Sequence, residues 1–354
     1  MSMPKKRKTL PKNIKELIET KDISALKVIY DTCEINAYND GFNRDTILHR
    51  IGVPDELVRW LVEQGANINA RNHYEETPVH NQAGYWCGNV TLFIELGADI
   101  TTRDIFNRTP LHSAACYGRV ESVKVLIAHG ADIHAKERSG KTPLSYALSL
   151  CTNIKIPGVA DVAELLLNAG AEITPDMTNS VTHIGKGFEF YRADFNKDSL
   201  AETEAGLAKL YALFHVEPVA KRIMHNGISP IVVPDGDWDH QFNTLWQLLV
   251  PGSGQAKTVQ AEVIRASGKL AREIIGNGSP NWNDDFRKML VALVEYFNMG
   301  NPLSPDELEE AARLARKLRG GNGDDEPGRL MELSVHWVQA NPKPMPLDKP
   351  EYSI

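Results

Sequence analysis

Residues 251–258 read PGSGQAKT, a short glycine loop running into Lys257-Thr258 and then a helical stretch. Glycines let backbone N–H groups close on a phosphate, and a lysine placed after them reaches its outer oxygens. The full pattern for that chemistry is G-x-x-x-x-G-K-[ST], and here Pro251 and Ala256 stand at its two glycine positions. Ala256 puts a methyl group where backbone must approach phosphate, and Pro251 removes a donor. The preceding LWQLLV is amphipathic and poor in β-branched residues, whereas a phosphate loop follows a strand. No later strand ends in an acidic residue suited to magnesium. The stretch therefore reads as a helix–turn–helix junction, with Thr258 or Ser253 near the start of the second helix.

Other groups with chemical potential lie close by. Glu262, Arg265, Lys269, Arg272 and Glu273 share one helix. Glu262 with Arg265, and Lys269 with Glu273, have the spacing of local ion pairs, and a solvated helix face is the expectation. An enzyme or nucleotide-binding protein using Lys257, Glu262 or Arg265, with a pocket near 251–265, is the alternative reading. Asp239 and His240 with His225 lack a second pair of metal ligands. Cys33, Cys87, Cys116 and Cys151 are widely spaced, without any C-x-x-C pair, and read as reduced thiols. Neither a cofactor nor a catalytic residue is expected.

The elements that position these groups follow from the rest of the chain. At 354 residues, two domains are the natural prior. A hydrophobic share of 42%, a charged share of 24% and a net charge of −7 suit a soluble globular protein and argue against a nucleic-acid backbone as main partner. No run of about 18 apolar residues exists to span a membrane. PKKRK (4–8) has the composition of a nuclear import signal, carried by Lys5, Lys6, Arg7 and Lys8; the plainer expectation is that residues 1–12 form a disordered basic tail of a cytoplasmic protein.

Four segments of the first half align with one another. Thr46, Thr77, Thr109 and Thr142 fall 31, 32 and 33 residues apart, and Gly-Ala pairs begin at Gly65, Gly97, Gly130 and Gly170. The third copy contains Thr109-Pro110-Leu111-His112, Ala114-Ala115, Gly118 and Gly130-Ala131-Asp132. This period and these motifs resemble the ankyrin repeat, over about residues 13–215. Local physics agrees: threonine can cap the first helix, proline suits its first turn, and a glycine ends the second. The first copy is worn, with Gly52-Val53-Pro54 shortening its inner helix, and residues 13–40 keep a two-helix rhythm without T-P-L-H. The fourth copy carries an insertion around CTNIKIPG (151–158), read as a longer inter-helix loop, and 196–214 reads as a closing helix.

The resemblance implies a non-catalytic solenoid that binds proteins through its hairpin tips and inner helix face. It also implies that His49, His80 and His112, which recur at one repeat position, tie turns to neighbouring backbone and hold no metal. The turns before each Thr carry Phe42, Tyr74 and Phe106, and the inner helices add Arg50, Asn81, Tyr85, Trp86, Tyr117 and Tyr146. Aromatic residues dominate interface hot spots, so these nine are the candidate partner contacts. Ankyrin proteins of this kind in bacteria neutralise toxins or act as effectors in host cells, and a bacterial interaction protein of immunity or effector type is the narrower expectation.

From about residue 228 the repeat signature is gone. Helical patterns follow at 240–250, 256–278, 281–300, 304–321 and 328–342, the fourth opened by Ser304, Pro305 and Glu307 as a capping box. The expected fold is all-α: an ankyrin-repeat solenoid (13–215), a linker (216–240), a separate helical domain (241–342) assigned to no family, and an extended tail (343–354).

Overall fold

The computed structural model describes residues 5–354, so Pro4 of the basic run lies outside it. The chain divides into two units. The first holds the residues up to Phe188 together with Asn196–Val219, and the second holds Glu189–Phe195 and Ala220–Ile354.

The first unit opens with β1 (Arg7–Thr9) parallel to β2 (Cys33–Tyr38), with α1 (Ile14–Thr20) and α2 (Ile23–Thr32) between them. The expected disordered tail over 1–12 is thus corrected for residues 5–12. Lys5 to Lys8 remain exposed, but Leu10 is buried and its N–H donates to the Tyr38 carbonyl at 2.8 Å. Charge composition reports the solvated residues; one buried leucine and a few backbone bonds order the segment.

The repeats follow. A single 3₁₀ turn (Ile47–His49) stands where the worn first copy has lost its inner helix, and α3 (Asp55–Glu63) completes it. Then come α4 (Pro78–Gly84) with α5 (Val90–Glu95), α6 (Pro110–Cys116) with α7 (Val120–Ala128), and α8 (Pro143–Ser149) with α9 (Ile156–Asn168). Gly65, Gly97, Gly130 and Gly170 all take positive φ, between 81° and 101°, as the chain leaves each second helix. The insertion in the fourth copy is a 3₁₀ turn (Asn153–Lys155) feeding a thirteen-residue α9, not a simple longer loop. α10 (Pro175–Tyr191), a helix the sequence pattern did not reveal, and α11 (Lys197–Phe214) follow.

Consecutive repeats pack closely enough to touch backbone to backbone. A Cβ on Gly118, at φ +63°, would lie 2.9 Å from the Gly158 carbonyl carbon. Gly118→Ala is therefore expected to cost about 2–4 kcal/mol, from left-handed strain plus overpacking, seen as a lower melting temperature by circular dichroism.

The second unit contains α12 (Trp238–Leu249), α13 (Val259–Ala271), α14 (Asp284–Tyr296), α15 (Pro305–Leu318) and α16 (Glu326–Ala340). Thr258 caps α13, its hydroxyl accepting from the Ala261 N–H, and Ser304 with Glu307 forms the capping box of α15. Trp337, Leu245, Val263, Leu293 and Leu333 are fully buried. The expected linker is not free. Arg222 donates to the carbonyls of Phe190, Trp246, Gln247 and Val250, satisfying the last carbonyls of α12, and the Ile231 N–H donates to the Pro342 carbonyl at 2.7 Å.

The solvated face expected of α13 is also corrected. Every position from Val259 to Ser267 is buried, Glu262 and Arg265 included. The extended residues after Pro342 cover that face: Gln260 holds Met345, Leu347 bonds Lys257, and Tyr352 is buried. Glu262 and Arg265 pair at 2.7 Å as their spacing suggests, but Glu273 instead binds Asn277 and Asn281.

Candidate partner-binding surface

Three of the hairpin tips are each built by one acceptor side chain. Asn72 Oδ1 accepts the N–H groups of Tyr74 and Glu76, Asp104 Oδ1 those of Phe106 and Arg108, and Glu137 Oε1 those of Ser139 and Lys141. Adjacent tips are then joined: His73 N–H donates to Asn43, Ile105 to Tyr74, and Arg138 to Phe106. Phe42, 69% exposed, meets the His73 ring at 4.4 Å and the Tyr74 edge at 5.9 Å. Phe106 is also exposed, with the Arg108 guanidinium 4.8 Å from its ring. Phe42 and Phe106 stand exposed on a hydrogen-bonded ladder, with Tyr74 half-buried between them.

Behind the tips, the histidines join turn to turn. The backbone N–H of Thr46, Thr77 and Thr109 donates to Nδ1 of His49, His80 and His112, each at 3.1 Å. With Nδ1 an acceptor, Nε2 carries the proton. It donates to the Glu76, Arg108 and Lys141 carbonyls of the next copy at 3.1–3.2 Å. Burial lowers the pKa of His80 and of His112 to about 4, and lowers that of His49. The fourth copy has Ser145 at this position, whose hydroxyl turns back to the Thr142 carbonyl.

The inner face forms an open groove of about 700 Å³ lined by Arg50, Asn81, Tyr85, Trp86, Tyr117 and Arg119, with Asp45 and Glu76 among its acids. Trp86 is 77% exposed and Tyr85 52%. Five of the nine sequence candidates meet here, and the three tip aromatics form the second patch. Tyr146 does not join either: its hydroxyl accepts from Arg108 at 3.1 Å and its ring lies 5.9 Å from His112, so it ties neighbouring copies together. Sequence reasoning passed over Gln82, which holds the loop bearing Tyr85 and Trp86. Its amide donates to the Arg50 carbonyl at 3.2 Å and accepts from the Asn89 N–H at 3.1 Å.

The PGSGQAKT loop lies beside a pocket of about 320 Å³ lined by Pro251, Gln255, Lys257 and Thr258, with Asp194 and His225 across it. The Ser253 N–H, which a phosphate loop would aim at its ligand, donates instead to the Asp194 carboxylate at 3.1 Å. His225 Nδ1 accepts from the Gly227 N–H, so its Nε2 proton faces Ser229 Oγ at 3.2 Å. In that tautomer the ring donates to the hydroxyl and does not take its proton. No group of three or more residues suited to a metal ion occurs among the described residues. No helix among them is long and apolar enough to cross a membrane.

Comparison with known proteins places three ankyrin repeats at residues 81–176. Human protein phosphatase 1 regulatory subunit 27 is 41% identical over 62 residues, which is 18% of this chain and 34% of that protein. Its mouse counterpart is 40% identical over 55 residues, 16% of this chain and 31% of that protein. The chain spans about a third of the length of these curated relatives.

Proposed function

We propose that this chain, which carries ankyrin repeats, is a non-catalytic binding protein. It grips a protein partner through two patches of its first unit: the tip row of Phe42, Tyr74 and Phe106, and the groove of Arg50, Asn81, Tyr85, Trp86 and Tyr117. The observation that carries this is a set of large rings, those of Phe42, Tyr85, Trp86, Phe106 and Tyr117, left in water on a framework of hydrogen-bonded turns. Rigid exposed aromatics gain much on burial and lose little side-chain freedom. Relatives named as regulatory subunits of a phosphatase agree with a binding role.

The test is capture from native lysate by the full chain, with a stoichiometric protein expected on wild type. Phe42→Ala with Tyr74→Ala, and separately Trp86→Ala, are expected to weaken that capture at least tenfold. Retention of the same protein at unchanged strength by both variants would move the surface elsewhere.

The narrower form of the proposal makes the partner a toxin to be neutralised, or a host protein met by an effector. The effector form needs Lys5, Lys6, Arg7 and Lys8 to be read by an import receptor. Lys6 donates to the Tyr30 carbonyl and Arg7 to Thr32, which engages two of the four. A fluorescent fusion that stays out of a eukaryotic nucleus ends that form. The enzymatic alternative at the 320 Å³ pocket is tested by Lys257→Ala, which on the binding reading leaves every phenotype intact.

A further inference from the structure

Resting on the partner-binding reading above, we propose that the inner groove takes a partner segment carrying a carboxylate beside a large apolar side chain. Arg50 holds the carboxylate, and Trp86 with Tyr85 covers the apolar group.

The argument begins with an imbalance at Arg50. Its Nε is shielded from solvent and has no hydrogen-bond partner, and the side chain makes no ion pair among the described residues. Only its backbone is engaged, the carbonyl accepting from Gln82. Lys15 and Glu19 at one end of the groove are exposed and solvated, whereas its other half-buried charges are occupied. Asp45 accepts from the amides of Asn39 and Asn72. Glu76 accepts from Asn72 and lies 3.6 Å from Arg108. Arg119 donates to the Gly84 carbonyl at 3.0 Å and sits over the Tyr117 ring. Arg50 is thus half-buried and unpaired, where the neighbouring half-buried charges Asp45, Glu76 and Arg119 are bonded.

A guanidinium fork matches a carboxylate with two parallel hydrogen bonds, and the Arg50 Nη groups, which line the groove and make no hydrogen bond among the described residues, are the donors a carboxylate can reach. A polyanion suits the groove less well. Lys15, Arg50 and Arg119 are balanced along it by Glu19, Asp45 and Glu76, so a nucleic-acid backbone would meet as many acids as bases. A single acidic side chain reaches Arg50 without that repulsion.

The apolar half of the site is held ready. Trp86 and Tyr85 sit on a loop pinned by the Asn89 N–H to Gln82, and Gln82 also holds the Arg50 backbone. A Cβ on Gly88 would lie 1.9 Å from the Gln82 carbonyl oxygen, so the loop closes against Gln82 at a distance only glycine permits. One buried glutamine therefore fixes the spacing between the cation and the rings, which lowers the ordering cost of binding. Gln82 is a positioning residue for both halves.

The experiment probes the full chain on an array of randomised twelve-residue synthetic peptides. Wild type is expected to select Asp or Glu next to Trp, Phe or Leu. On the best of these, Asp→Asn in the peptide is expected to weaken binding at least tenfold. Arg50→Gln is expected to abolish that Asp-over-Asn preference, Arg50→Lys to restore it in part, and Trp86→Ala to weaken all peptides alike. The Arg50 variants leave the Gln82 bond to the backbone carbonyl in place, and melting temperatures confirm folding. Persistence of the Asp preference in Arg50→Gln, or wild-type selection of peptides without acids, overturns the carboxylate assignment. In either case, sensitivity to Trp86→Ala keeps the broader binding reading. If wild type binds nothing, or Trp86→Ala and Arg50→Gln both bind as wild type does, the groove fails as a site altogether.

Discussion

Arg265→Ala is expected to destabilise the second unit by about 3–5 kcal/mol, the usual cost of leaving a buried charge without its partner. Glu262 and Arg265 share two hydrogen bonds of 2.7 Å inside α13, both side chains almost wholly out of water. The network does not end there. The Tyr352 hydroxyl donates to Glu262 at 2.6 Å, and Arg265 donates to the Ile354 carbonyl at 2.8 Å. Burial, then the adjacent Glu262 charge, push the Tyr352 phenol upward, so it stays a donor at any working pH. Removing Arg265 strands Glu262 and frees the end of the tail together. The melting temperature of this unit, followed by near-UV circular dichroism of its tryptophans, should fall by roughly 10 °C. The double variant Glu262→Leu with Arg265→Met is expected to recover most of the loss, because both charges leave together. An Arg265→Ala protein that melts as wild type does would show that the tail does not seal this pair. Tyr352→Phe is milder, at about 1–3 kcal/mol, since Arg265 still pairs Glu262.

This pair also shows where sequence reasoning stops. The three-residue spacing of Glu262 and Arg265 was enough to read the ion pair, because helix geometry alone sets it. Their burial depends on Tyr352 and Ile354, about ninety positions away. A helix face cannot announce what a distant extended segment will lay across it. The repeats were legible for the opposite reason. Their period is the physical spacing of stacked modules, so Thr, Pro, His and Gly recur wherever a turn recurs. α10 escaped because Gly185 and Gly187 look like breaks. Gly185 faces Tyr211, whose hydroxyl would be 2.0 Å from any Cβ, so the glycine serves packing and not a turn. In the groove, the exposed rings could be read as contacts, but Tyr146 could not be told from them. Its hydroxyl is engaged by Arg108, from the preceding copy.

The largest solution effect belongs to the histidines. The stability of the first unit is expected to be full above about pH 6.5 and to fall as pH drops toward 4. The sign follows from the ring's neighbours. In the fold, Nδ1 faces the Thr N–H and Nε2 donates to a carbonyl, so a second proton would set N–H against N–H. His80 and His112 are therefore held neutral, with pKa about 4, against about 6.5 in the unfolded chain. Below 6.5 the unfolded state binds protons that the fold refuses, and the loss stops growing once the folded rings titrate near 4. The difference amounts to about 3 kcal/mol for each of the two rings, and His49 adds in the same direction. Urea unfolding followed across pH 7 to 4 measures it, and the proton resonances of the ring carbons give each pKa directly. His112→Asn, which has nothing to titrate, is expected to flatten the slope while starting from lower stability at pH 7, the Lys141 link being weakened. Ring resonances that titrate near 6.5 would mean that the histidines are not buried as the links require. The stacking of one copy on the next would then rest on apolar contact and on the backbone bonds between adjacent tips.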